Sequence, residues 1–158
     1  MLRKIAERRH LDIEVSSAGF LFDGESVSPT MAEIMKERDL DPEPHRSRIA
    51  DGEMVGAADL VLTMERSHAR RLSLASPESA SRIHTVGGFV SGLGGLALGA
   101  GPRAIVEMVA AGRTDDALLG SGSDEVSDPH GRNRQIHRDT ADQLDRMAIA
   151  VLEGLFPV

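Results

Sequence analysis

Ala58-Asp59-Leu60-Val61-Leu62-Thr63-Met64 is the stretch on which the fold turns. Its apolar run is short, includes β-branched residues and passes directly into polar Glu65-Arg66-Ser67-His68. A short apolar run without polar alternation reads as a strand covered on both faces, which occurs chiefly in parallel sheets with helices above and below. An α/β domain is therefore expected, with residues 59–64 as a fully buried strand. Ligands of open parallel sheets gather beyond the carboxyl ends of the strands, so the segments after Met64 and after its neighbours are where chemistry belongs.

Downstream of this stretch, residues 67–74 read as a helix and Ile83-His84-Thr85-Val86 as a second strand. Residues 87–101 contain seven glycines. The run is hard to assign as an element; Gly92, Gly94, Gly95, Gly99 and Gly101 match neither the dinucleotide fingerprint nor the Lys-containing phosphate loop of nucleotide hydrolases, and read as a flexible loop. Residues 102–111 form a helical pattern with Ile105, Met108 and Val109 inward, and residues 112–127 a polar, mobile loop. Ile136, Leu144, Met147, Val151 and Leu155 recur at helical spacing, which predicts a closing amphipathic helix over residues 134–155 packed on the sheet.

Upstream, Asp51 can cap a short helix leading into the strand over residues 59–64. Ser28-Pro29 supplies an N-cap and a proline at the first helical position, with Met31, Ile34 and Met35 on the buried face of the helix that follows. Leu11, Ile13 and Val15 alternate with Asp12, Glu14 and Ser16, the pattern of a half-buried strand, and Ser17-Ala18-Gly19 closes it. Before it, Leu2, Ile5 and Ala6 share one helical face, with no Ser, Thr, Asp or Asn ahead of them to cap the first amides.

With 158 residues and 41% apolar composition, residues 1–158 are expected to form one domain with a sizeable core. The net charge of -7 argues against non-specific nucleic-acid binding, though a local cationic pocket for an anion is compatible with it. The apolar runs are too short to span a bilayer and no apolar signal core follows the basic amino terminus, so no membrane partner and a cytoplasmic location are expected. Cysteine is absent, which excludes disulfides, thiolate metal sites and a cysteine nucleophile within these residues. The six histidines show no paired metal-ligand spacing, so no metal and no cofactor are expected.

Asp128-Pro129-His130-Gly131 pins a turn while presenting a carboxyl group, and taken alone it reads as a turn without chemistry. Arg46 and Arg48, beside prolines, read as a solvated face or as partners of an anion. Their order along the chain changes the weighting. Ser17-Ala18-Gly19, His45-x-Ser47-Arg48, the stretch from Ala58 to Met64 and Asp128-Pro129 together resemble low-molecular-weight protein tyrosine phosphatases of the phosphotyrosine protein phosphatase I and arsenate reductase-like superfamily.

The resemblance implies a three-layer α/β sandwich with a four-stranded parallel sheet in the order 2-1-3-4. It also implies metal-free hydrolysis of phosphomonoesters, the substrate being a phosphotyrosine protein or a small aryl phosphate. In that family a Cys, five residues and an Arg form a phosphate loop just before the first helix. This sequence has no such loop; residues 1–9 match the later part of that helix, so an N-terminally truncated chain is expected, without its first and central strand, its nucleophile and its transition-state Arg. Such chemistry needs a thiolate, a ring of backbone amides with an Arg around the equatorial oxygens, and an acid for the leaving group. Asp128 matches the family's general acid. Ser17 and His45 match residues that support the phosphate loop from behind, and His130 falls where many members carry an aromatic residue in the substrate slot.

A phosphatase chain inactive for want of its nucleophile is thus the leading expectation. A catalytically dead binding module is the alternative, burdened by unpaired strand amides where the central strand would lie. An arsenate reductase is disfavoured because the resolving cysteines it needs are absent from the region present here. Should Asp128 not be the acid, Asp115, Asp116 and Asp124 are the remaining candidates.

Overall fold

A computed structural model describes residues 1–97, 99–114 and 124–157. The chain divides into two compact units, Met1–Ala50 with Pro129–Ala148, and Asp51–Asp128 with Ile149–Val158.

In the first unit, helix α1 (Leu2–Arg8) buries Ala6 and half-buries Leu2 and Ile5, and its N-cap Met1 makes no side-chain capping bond. Helix α2 (Pro29–Glu37) begins with proline after Ser28, and Ile34 is fully buried between half-buried Met31 and Met35. Lys4 Nζ donates to the carbonyls of Arg38 and Asp39 at 3.0 and 2.6 Å, satisfying groups that the end of α2 leaves open. Helix α7 (Arg134–Leu155) contributes its first turns to this unit. Asn133 Oδ1 accepts from Ile136 N at 3.0 Å and caps its start. A charge network joins α2 and α7: Arg134 reaches Glu33 and Glu37 at 2.9 and 2.6 Å, Arg138 reaches Glu37 at 2.9 Å, and Arg38 pairs with Asp142 and Asp145.

Residues 11–17 correct one expectation. Leu11, Ile13 and Val15 are half-buried and Asp12, Glu14 and Ser16 exposed, so the alternation is realised, yet the segment forms no strand ladder, and Ile13 N turns back to Leu11 O at 3.1 Å. A strand needs a partner as well as a pattern. Arginines stand where a neighbour would: Arg3 Nη2 donates to Val15 O at 2.5 Å, and Arg48 donates to Ser17 O through Nε and Nη2 at 3.3 and 3.2 Å. The segment joins residues 48–50 through one isolated parallel bridge, Gly19 with Ile49.

The second unit is built on a two-stranded parallel sheet, β1 (Val61–Thr63) and β2 (Ile83–Thr85), with Val61 opposite Ile83, Leu62 opposite His84 and Thr63 opposite Thr85. All three residues of β2 are buried. Strand β1 is shorter and more open than expected: Val61 and Leu62 are half-buried and Met64 is 40% exposed. Among the described residues β1 bonds to one neighbour, so its other edge lacks the cover that a fully buried strand requires. The sheet is thus α/β and parallel, with two strands of the expected four.

Asp51 caps α3 (Gly52–Ala57) by accepting from Met54 N at 2.8 Å. Helix α4 (Arg66–Ala75) and a 3₁₀ turn (Pro77–Arg82) lead to β2, and α6 (Pro102–Ala111) buries Ile105, Val106 and Val109. The core also holds Phe89, which at 0% exposure contributes about 2–3 kcal/mol of burial.

The first part of the glycine run, unassigned from sequence, is helix α5 (Val86–Gly92), so of the glycines read as a loop Gly92 is helical instead. Thr85 Oγ1 caps it by accepting from Gly88 N at 3.1 Å, and the small residues are there for contact. A Cβ on Gly87 would stand 2.3 Å from Asp124 O, and one on Gly92 2.7 Å from Val109 Cγ1. The expected loop over residues 112–127 falls largely outside the described residues. On α7 the buried face is His137, Thr140, Ala141, Ala148, Val151 and Leu152, whereas Ile136 is 37% exposed. The period was right and the phase was off at the amino end, where His137 and Thr140 are the buried residues.

Candidate functional site

The carboxyl ends of β1 and β2 lie side by side, and the chain returns to them at residues 124–128. Val126 N donates to Met64 O at 2.9 Å just past β1, and its side chain is 2% exposed. Arg66, the first residue of α4, donates its amide to Glu125 Oε1 at 2.9 Å. Its guanidinium donates to Asp124 Oδ1 through Nε at 3.1 Å and Nη2 at 2.5 Å. The other oxygen of Asp124 accepts from Thr85 Oγ1 at 2.8 Å. Three consecutive residues are therefore fastened to the strand ends, and Asp128, exposed, follows two residues later.

The electrostatics agree with this geometry. Burial pushes the Asp124 carboxyl up, but hydrogen bonds from Arg66 and Thr85 outweigh it and hold the group below its ordinary value. The same bond from Arg66 raises the guanidinium's own pKa. Asp124, one of the candidate acids, is thus held as a carboxylate and is unsuited to donating a proton; Asp115 and Asp116 lie outside the described residues. Beside the cluster is a cleft of about 460 Å³ lined by Arg66, His84, Thr85, Gly88, Arg113 and Asp124. His84 is 3% exposed, with Nε2 3.0 Å from Ser81 O and its ring edge-on to Phe89. Burial foremost, with nearby Arg113, lowers its pKa to about 4, so it is neutral at pH 7.

The remaining sequence candidates lie in the first unit. Ser17 is exposed, and its carbonyl is held by Arg48. His45 is exposed, with its amide on Pro42 O at 3.2 Å and its carbonyl accepting from Arg46 at 2.6 Å. Backbone bonds bring residues 17–19 and 48–50 together, while no described bond joins His45 to Ser17. His130 is exposed in the turn closed by Gly131, whose φ of 72° favours glycine. Among the described residues no group of three or more His, Cys, Asp or Glu could hold a metal ion, and no helix is long and apolar enough to cross a membrane.

Sequence reasoning missed the Arg66, Thr85 and Asp124 cluster. Arg66 follows a strand and Thr85 ends one, which is the signal that was available, but a pair 58 residues apart leaves no local pattern.

Comparison with known proteins places the chain. A family profile described as low molecular weight phosphotyrosine protein phosphatase matches residues 1–99. The low molecular weight protein-tyrosine-phosphatase Wzb of Escherichia coli K12 is 31% identical over 85 residues, which are 53% of this chain and 58% of that protein. The chain thus spans well under two thirds of this curated relative. Among solved structures, the low molecular weight protein tyrosine phosphatase of T. tengcongensis matches with a TM-score of 0.72 and 27% identity over 96% of this chain and 84% of the other. A YwlE mutant from Bacillus subtilis shares the fold, with a TM-score of 0.72 at 22% identity over 96% of this chain and 83% of that one. An α/β fold matched over almost the whole chain, together with a profile match over more than half of it, settles the assignment: the chain belongs to the low molecular weight phosphotyrosine protein phosphatase family.

Proposed function

We propose that these 158 residues form a single phosphatase-type domain that carries the acid and supporting groups of phosphomonoester hydrolysis but not its nucleophile. The observation that carries this reading is the absence of cysteine from a member of a family that works through a phosphocysteine. Asp128 is the general acid, protonating the leaving oxygen and later activating water. Ser17 and His45 support the phosphate loop, and His130 lines the substrate slot. The substrate is a phosphotyrosine protein or a small aryl phosphate, handled without metal or cofactor in the cytoplasm, and turnover requires a thiolate from outside these residues.

The test is p-nitrophenyl phosphate hydrolysis by the purified chain. Loss of a nucleophile removes on the order of a million-fold in turnover, so the rate should match background. Turnover that survives contaminant controls would refute the proposal. In a chain extended to carry Cys, five residues and Arg, Asp128→Asn should lower turnover of poor leaving groups about a hundredfold and of good ones less.

A second reading, the catalytically silent binding module, is favoured by one observation. The carbonyls of Val15 and Ser17, on a segment without a ladder, are satisfied by Arg3 and Arg48, which relieves part of the cost of an open edge. Stable, monomeric behaviour of the isolated chain would support it.

A further inference from the structure

We propose that Arg66 is a positioning residue for the Asp128 segment, fixing the point and direction from which that segment leaves the sheet. The proposal rests on the reading of Asp128 as the acid.

An acid on a loop is useful only if the loop departs from a fixed place, because a displacement of about 1 Å at a reacting group is costly. Arg66 supplies that fixity twice over. Its backbone amide holds Glu125 and its guanidinium holds Asp124, so one residue grips two consecutive positions of the returning chain. Met64 O then holds the third, Val126. The helix α4 makes no capping bond through its N-cap side chain, Glu65, and Glu125 performs that service from across the unit. The grip is thereby part of the start of α4 and inherits its rigidity.

Solvent shielding separates this pair from the Arg134–Glu33 pair between α2 and α7. The side chains of Arg66 and Asp124 are 17% and 15% exposed, whereas Arg134 and Glu33 are 49% and 60% exposed. Exposed pairs contribute little, while a shielded, charge-assisted bond to two guanidinium nitrogens holds its geometry. Thr85 occupies the second oxygen of Asp124, which prevents the carboxylate from rotating away. Gly87 lies directly under the backbone of Asp124, where a Cβ would come within 2.3 Å of its carbonyl oxygen, so the returning chain is also seated sterically.

The test is hydrogen exchange on the 158-residue chain, read residue by residue. In Arg66→Met, which keeps an unbranched stem and removes the charged guanidinium, the Val126 amide should exchange on the order of tenfold faster, while β2 and α6 keep their rates. Arg66→Lys should recover part of the protection by restoring the charge. Asp124→Asn should reproduce the local loosening from the other partner, and it stands in should Arg66→Met fail to fold. Unchanged exchange at Val126 in both Arg66→Met and Asp124→Asn would overturn the proposal. So would acceleration spread equally through β2 and α6, which marks general destabilisation. Exchange at Val126 does not involve the Asp128 carboxyl, so Asp128→Asn should leave it unchanged. Failure of Asp128 as the acid and failure of the Arg66 grip are therefore separate results.

Discussion

Lowering the pH from 7 to 5 should destabilise this protein through His84, and the size of the effect follows from where the ring sits. The imidazole is 3% exposed, donates from Nε2 to Ser81 O, packs edge-on against Phe89 and lies near Arg113. Its folded pKa is about 4 against an ordinary value of 6.5. Between those values the unfolded chain binds a proton that the folded chain refuses, so stability is full above about pH 6.5 and falls as the pH drops toward 4. With those two constants, the linkage relation gives a loss of about 2 kcal/mol between pH 7 and pH 5. Urea unfolding at the two pH values measures it. His84→Gln supplies the control, since glutamine does not titrate and can still donate to the Ser81 carbonyl. The amino terminus of Met1 is also lowered, chiefly by burial, and adds a slope of the same sign nearer neutrality, but it is common to both chains and cancels in the difference. If native and His84→Gln chains lose the same stability between pH 7 and 5, the buried neutral imidazole is wrong.

Gly87→Ala places a methyl group 2.3 Å from the Asp124 carbonyl oxygen, which is backbone and cannot swing aside, so the urea midpoint should fall by an amount equivalent to about 1–3 kcal/mol. An unchanged midpoint would mean that residues 124–126 are not seated on α5. Asp51→Ala removes the cap on Met54 N and should cost about 0.5–2 kcal/mol in the same assay, with no loss if the cap is an accident of the surface. Glu37 is held to a pKa of about 2 by hydrogen bonds from Arg138 and then Arg134. Its contribution is present above about pH 4.5 and lost as the pH falls toward 2, so the stability difference between native and Glu37→Gln chains should shrink over that window and shrink also in high salt. A difference constant down to pH 2 would show that the carboxylate is not held by those arginines.

Much of the fold was legible because the signals were local. Asp51 before Gly52, Ser28-Pro29 before Thr30, and the spacing of Ile105, Met108 and Val109 each declare a helix from a few neighbours, and helices are found where they predict them. The failures occurred where a distant partner decides. Residues 11–17 alternate like a strand but have arginine side chains where a ladder would be. Glycines 87 and 88 give no readable pattern and Gly92 suggests flexibility until Asp124, Thr85 and Val109 are seen to fill the space their missing side chains leave. The family's order of motifs could be read from Ser17, His45 and Asp128, but the grip of Arg66 on Asp124 and Glu125 spans 58 and 59 residues and has no trace in sequence spacing.

The hydroxyl of Thr85 stands in the middle of a one-way series. Gly88 N–H donates to Thr85 Oγ1, whose own proton goes to Asp124 Oδ2, while Arg66 donates to Oδ1 of the same carboxylate. The hydroxyl proton has a single orientation available, so the dipoles of amide and hydroxyl add and polarise one another toward the carboxylate. The bareness of Gly88 is what lets the series close, since a Cβ there would stand 2.6 Å from Thr85 Oγ1. The capping of α5 and the anchoring of Asp124 are therefore one cooperative event: whatever disturbs the charge at the carboxylate alters the strength of a helix cap two bonds away, and neither has an energy of its own that could be assigned by removing it alone.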